Sequence, residues 1–117
     1  MRPTLLLVAV AAFAAAPAHA TGGLVCRTAG VHPIEVSVGF GHVPGSPLLL
    51  VRLVDAGSNV AVTGAQWWLD DSEVRLLLID PGARQQQLLL KATRRGLVYD
   101  GSIWRSGKRR WVRCRED

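Results

Sequence analysis

Residues 34–40 read Ile34-Glu35-Val36-Ser37-Val38-Gly39-Phe40. Apolar side chains at every second position turn one face to a core and the other to water, which is the period of a half-buried β-strand. The turn-forming run Gly41-His42-Val43-Pro44-Gly45-Ser46-Pro47 ends it. Beyond that loop the pattern repeats. Leu48 to Val54 is almost wholly apolar and stops at Asp55-Ala56-Gly57-Ser58-Asn59. Val60 to Thr63 and Gln66-Trp67-Trp68-Leu69 supply one or two further strands, interrupted at Gly64. Val74 to Ile79 closes at Asp80-Pro81-Gly82, and Gln85 to Thr93 follows. Arg94-Arg95-Gly96 turns the chain into Leu97 to Trp104, and Ser106-Gly107 turns it into Arg109 to Cys114.

Seven to eight short strands at this spacing predict an all-β chain, a small antiparallel meander forming a barrel or a sandwich. Leu76-Leu77-Leu78 and Leu88-Leu89-Leu90 are apolar enough for a buried helix, and leucine is a weak strand former. Their shortness and the Pro81-Gly82 turn between them favour a hairpin.

The N-terminal flank has a different character. Arg2, the apolar run Leu5 to Ala16, Pro17 and Ala18-His19-Ala20 have the charged, apolar and small-residue parts of a secretory signal, with cleavage expected after Ala20. The run is too short for a membrane span, which needs about 20 apolar residues. The expectation is a signal peptide over residues 1–20 and a single exported β-domain over 21–117, periplasmic or secreted. The signal also inflates the hydrophobic content of 49%. The domain itself retains Phe40 as its sole phenylalanine, so its core benefits from a staple.

Two cysteines, Cys26 and Cys114, allow one intramolecular pairing, and an oxidising compartment makes that disulfide the expected state. Neither lies in a C-x-x-C pair or close to a histidine, so neither has the setting of a catalytic thiol. Joining first strand to last closes a meander into a barrel and removes exposed edges. The disulfide-closed barrel is therefore preferred over the sandwich.

Charge is concentrated in the final third. From Lys91 to Arg115 there are nine basic residues against one acid, Asp100, in a chain of net charge +5. Such a block suits an anionic partner: an envelope polymer, a lipid headgroup or an acidic protein. Export argues against nucleic acid. Arginine decorating solvated strand faces explains the same block without a ligand.

Register in the last hairpin decides between these readings. If Ser106-Gly107 is a two-residue turn, Trp104 lies opposite Arg109 and Ser102 opposite Trp111. One face then carries Trp104, Arg109, Trp111 and Arg113, an aromatic and arginine platform, while Leu97, Tyr99, Ile103 and Val112 point to the core. A three-residue loop shifts the pairing by one, so that Trp104 shares a face with Val112 and Trp111 with Ile103, and the platform is broken; tryptophans that fill the core are the alternative without a ligand. Trp67 and Trp68 are adjacent, so a strand sends one inward and the other outward.

Other candidates carry little chemistry. Asp70-Asp71-Ser72-Glu73 lacks the spacing of a calcium loop and reads as a charged turn. His32 and His42 offer no zinc-ligand pattern, and Ser37 and Ser102 lack a G-x-S-x-G context. No phosphate-cradling glycine loop occurs. The expectation is therefore a non-enzymatic chain without metal or cofactor.

With Leu24-Val25-Cys26 near the start of the exported part and Val112-Arg113-Cys114 at its end, the plan resembles the small periplasmic inhibitors of c-type lysozyme. That resemblance implies an eight-stranded barrel and a loop with serine and tyrosine inserted into the lysozyme cleft. No Ser-x-Gly-x-x-Tyr loop precedes Trp67, and Tyr99 stands in Leu97-Val98-Tyr99-Asp100-Gly101, so no inhibitory residue carries over. A basic chain also meets a basic lysozyme with repulsion. Three functions follow as expectations: binding of an anionic envelope component or partner through the C-terminal hairpin, inhibition of a secreted enzyme by a loop such as 41–47, or carriage of a small apolar ligand inside a hollow barrel.

Overall fold

The computed structural model describes residues 21–41 and 48–117. The signal expected over residues 1–20 and most of the 41–47 loop, His42 included, lie outside the described residues. Among the described residues nine strands make a single antiparallel sheet: β1 (Thr21–Thr28), β2 (Ile34–Gly41), β3 (Leu50–Asp55), β4 (Ser58–Val60), β5 (Thr63–Leu69), β6 (Glu73–Ile79), β7 (Gln86–Arg95), β8 (Val98–Arg105) and β9 (Lys108–Glu116). Their order is β4-β3-β2-β1-β9-β8-β7-β6-β5. Both leucine triplets are strands, with Leu77 opposite Leu89 and Leu78 opposite Leu88.

Among the described residues the count is nine instead of seven to eight, because the stretch before Ile34, where alternation marks no strand, forms β1 between β2 and β9. A tight Ala56–Gly57 turn folds Ser58–Val60 back on β3 as a separate strand, with Asp55 opposite Ser58. Ala56 and Gly57 both take positive φ (50° and 87°), the conformation whose twist suits a two-residue hairpin.

First and last strands do pair. Cys26 sits directly opposite Cys114 and is bonded to it, with both residues buried. The barrel is nevertheless open, because the ring is interrupted elsewhere. β4 and β5 are the two edges of the sheet although only Ala61 and Val62 separate them in sequence. Three residues of β4 offer little ladder, and β5 carries a bulge between Gly64 and Gln66. The Leu48 side chain lies against Gly64, where a Cβ would meet its Cδ1. Side-chain packing thus occupies the seam in place of a backbone ladder.

Curvature brings distant strands together across the interior. Phe40 of β2 stacks on Trp67 of β5 with ring centroids 5.5 Å apart. At one end Arg105 of β8 reaches Asp55 of β3 (Nε to Oδ2, 2.7 Å) and donates to the Gln87 carbonyl and amide oxygens. Three strands lie between β8 and β3 in the sheet, so this pair holds the curl. At the other end Tyr99 is buried and its hydroxyl donates to the Asp70 carbonyl (2.8 Å). Gly101 on β8 permits the close approach of β7, since a Cβ there would collide with the Lys91 carbonyl and the Ala92 Cα.

The interior is packed with Leu24, Val36, Leu53, Leu76, Leu78, Leu88, Leu90 and Ile103. Between Leu24, Phe40, Trp67 and Leu90 a void of about 10 Å³ remains, room for about one water molecule.

Candidate binding face

The last hairpin has the two-residue register. Ser102 pairs with Trp111, Trp104 with Arg109, and Arg105 with Lys108, leaving Ser106 and Gly107 in the turn with φ of 53° and 75°. Trp104, Arg109, Trp111 and Arg113 consequently lie on the outer face of the sheet. Trp111 is 70% exposed, whereas Trp104 is half-buried beside Leu89, its β7 partner. Tyr99, Ile103 and Val112 point inward and are buried. Leu97 does not join them. Arg95 pairs with Val98, so Gly96 and Leu97 form the turn and Leu97 stands at its tip, 88% exposed.

Contacts on this face are specific. Arg109 donates from Nε to Ser102 Oγ (2.7 Å) and lays its guanidinium over Trp111, 5.6 Å from the ring centroid. Together these side chains cover Ser102, which is buried although its position faces outward. Arg113 grips Asp100 with two bonds, Nε to Oδ1 at 2.7 Å and Nη2 to Oδ2 at 3.1 Å. That guanidinium holds the Asp100 carboxyl below the usual carboxylate range, and Arg113 is raised in return.

Parity along the strands sorts the basic block. Arg94, Arg105 and Arg110 sit on the inward parity near strand ends and each is engaged by the fold, whereas Lys108, of the same parity, is exposed beside the β8–β9 turn. Arg94 approaches Tyr99 and Glu116, and Arg105 binds Asp55. Arg110 donates to the carbonyls of His32 and Ala29 in the β1–β2 loop (2.9 Å each). On the outward parity, Lys91, Arg95, Arg109 and Arg115 have no carboxylate within ion-pairing distance among the described residues. With Arg27 of β1 they line a broad depression of about 1000 Å³ around Trp111 and Asp100.

Arg27 is the contributor that reading the C-terminal hairpin alone misses. It lies some 80 residues away in sequence yet directly opposite Arg113, because β1 is inserted beside β9. The outward tryptophan of the adjacent pair is Trp68, half exposed, while Trp67 turns inward to Phe40.

Asp70-Asp71-Ser72-Glu73 forms the β5–β6 turn. Asp70 accepts from the Ser72 and Glu73 backbone amides, the Ser72 hydroxyl and the Trp68 indole, which hold its carboxyl far below the ordinary range. All of these are turn-closing contacts. Among the described residues no three His, Cys, Asp or Glu side chains gather as a metal site. No helix there is long and apolar enough to cross a membrane. No family model, no curated protein and no solved structure matches this chain.

Proposed function

We propose that this chain is an exported, non-enzymatic binding domain whose outer face, spanning β1, β9, β8 and β7, takes an anionic envelope polymer. One observation carries the reading: an exposed Trp111 lies under Arg109 in a depression where, among the described residues, Arg27 and Arg113 are ion-paired but Lys91, Arg95 and Arg115 have no carboxylate within ion-pairing distance. A polyanion supplies the missing negative charge, and a flat indole supplies an apolar surface for a ring. The buried disulfide suits an oxidising compartment, where such polymers occur.

The test is retention of the purified domain on immobilised polygalacturonate. We expect retention near 20 mM salt and elution by a few hundred mM, because exposed charges are screened over about 10 Å at 0.1 M. Lys91→Gln with Arg115→Gln should lower the eluting salt concentration. No retention at low salt, or elution indifferent to those changes, overturns the reading.

A further inference from the structure

We infer that the binding face continues past the C-terminal hairpin as a band crossing five strands on the outer face of the half-barrel, suited to a flexible acidic glycan wrapped across them. This rests on the anionic-polymer reading and deepens it. One lateral row of paired residues runs Trp111 of β9, Ser102 of β8, Lys91 of β7, Arg75 of β6 and Trp68 of β5. Each step is a direct cross-strand pair, so all five belong to one face. Four steps at the strand spacing of about 4.8 Å make a backbone path of roughly 19 Å from β9 to β5, which the outward side chains lengthen on the convex face.

The two ends of the row are built alike. Trp111 is 70% exposed with Arg109 over its ring, and Trp68 is 50% exposed with Arg75 over its ring, 5.8 Å from the centroid. Each end has its own depression, about 1000 Å³ around Trp111 and about 370 Å³ around Trp68, and Lys91 lines both. Arg75 also meets Glu73 at 3.3 Å, an exposed contact that a ligand carboxylate can replace.

A small anion is satisfied at one such end. Two matched aromatic and arginine ends joined by a lysine call for a ligand of the same length, with ring faces to stack and negative charges between them. A duplex nucleic acid carries a charge every 1.7 Å or so and hides its ring faces in the helix. A bilayer plane meets protruding apolar tips, and the most exposed ones, Val31 and Leu97, sit in turns away from the row. A chain of sugar rings bearing carboxylates offers both the stacking faces and the sparser charge.

The probes are oligogalacturonates, a dimer and an octamer, titrated at low salt into the disulfide-bonded domain with tryptophan fluorescence and calorimetry as readouts. Bridging both ends should make the octamer tighter than the dimer by on the order of a hundredfold. Trp68→Ala and Trp111→Ala should each bring that ratio down toward one. The Trp68 indole also bonds Asp70, so Arg75→Gln, which leaves that turn intact, should lower the ratio as well, and Trp68→Phe should restore it. Thermal melts equal to that of the parent show that each variant is folded. If octamer binding falls with Trp111→Ala but ignores Trp68→Ala and Arg75→Gln, the hairpin site stands and the five-strand band is wrong. Binding of a single-stranded oligonucleotide or of anionic vesicles, with neither oligogalacturonate bound, overturns the glycan assignment. Binding of none of these probes removes the anionic-polymer reading too.

Discussion

Removing the Cys26–Cys114 bond should destabilise the fold by an amount the structure lets one work out. The bond closes a sequence separation of 88 residues. In the chain-entropy treatment a loop of that length is worth roughly 4.6 kcal/mol at 25 °C. For a domain of about 100 residues each kcal/mol shifts the melting midpoint by about 4–8 °C, so reduction should lower it by roughly 20 °C or more. In urea, with a slope of about 1 to 1.5 kcal/mol/M, the midpoint should fall by roughly 3–5 M. Reduced parent protein isolates the loop contribution. A Cys26→Ala, Cys114→Ala pair adds a further penalty of about 1 kcal/mol per site for the vacated space, because both side chains lie in the packed interior. A loss below about 1 kcal/mol refutes the reasoning, for it means that the unfolded chain already keeps its ends together. Kinetics supply a second check. The sulfurs are buried, so reduction of the native protein should proceed through opening, level off as reductant increases, and rise with urea as unfolding does. Reduction that stays proportional to reductant and indifferent to urea refutes the burial argument.

Two further outcomes follow from local geometry. Gly101→Ala should cost about 2–4 kcal/mol in urea unfolding, since its Cβ would strike β7 main chain that cannot swing aside; a change below about 0.5 kcal/mol contradicts that placement. Asp70, Asp80 and Asp100 all have carboxyl groups lowered from an ordinary 3.8, Asp70 mainly by the Ser72 amide, Asp80 by the Gln85 amide and Asp100 by Arg113. Their contribution is present above that ordinary value and lost as pH falls through the lowered ones, so the urea midpoint should hold to about pH 5 and decline below about pH 4. Asp70→Asn should lower the midpoint at neutrality and flatten that decline, and an unchanged acid slope counts against its role.

Strand content was legible because turn residues punctuate the chain, and the leucine triplets resolved as a hairpin for the reason that Pro81-Gly82 suggests. The pairing of the two cysteines followed from their number and positions. Register at the last hairpin was not legible, since Ser106-Gly107 serves both a two-residue turn and a longer loop; the positive φ of both residues selects the first. Leu97 was misplaced because apolarity reports a preference for burial and says nothing about where the turn falls. The opening between β4 and β5 depends on Leu48 against Gly64 and on a bulge, side-chain events that periodicity does not encode. Arg27 was not legible as a member of the proposed binding face because the strand order, and not the sequence distance, places it opposite Arg113.

The division of the arginines by parity bears on whether the basic block merely decorates a surface. Arg94, Arg105 and Arg110 stabilise the ends of the half-barrel through a hydroxyl, a carboxylate and loop carbonyls, so their presence follows from the fold. On the outward parity, Lys91, Arg95 and Arg115 make no such contact among the described residues. Arg27 stands directly opposite Arg113, a like-charge pairing that opposes the ladder and is offset by one acid on each side, Glu35 3.6 Å from Arg27 and Asp100 2.7 Å from Arg113. Lys91, Arg95 and Arg115 add repulsion on the same face. Lysine or arginine spread for solubility alone would be interspersed with acids, which lowers this cost at no loss of charge density. A fold that tolerates concentrated positive charge beside an uncovered tryptophan gives up some stability at that one place, and such local departures from self-consistency are where binding is expected.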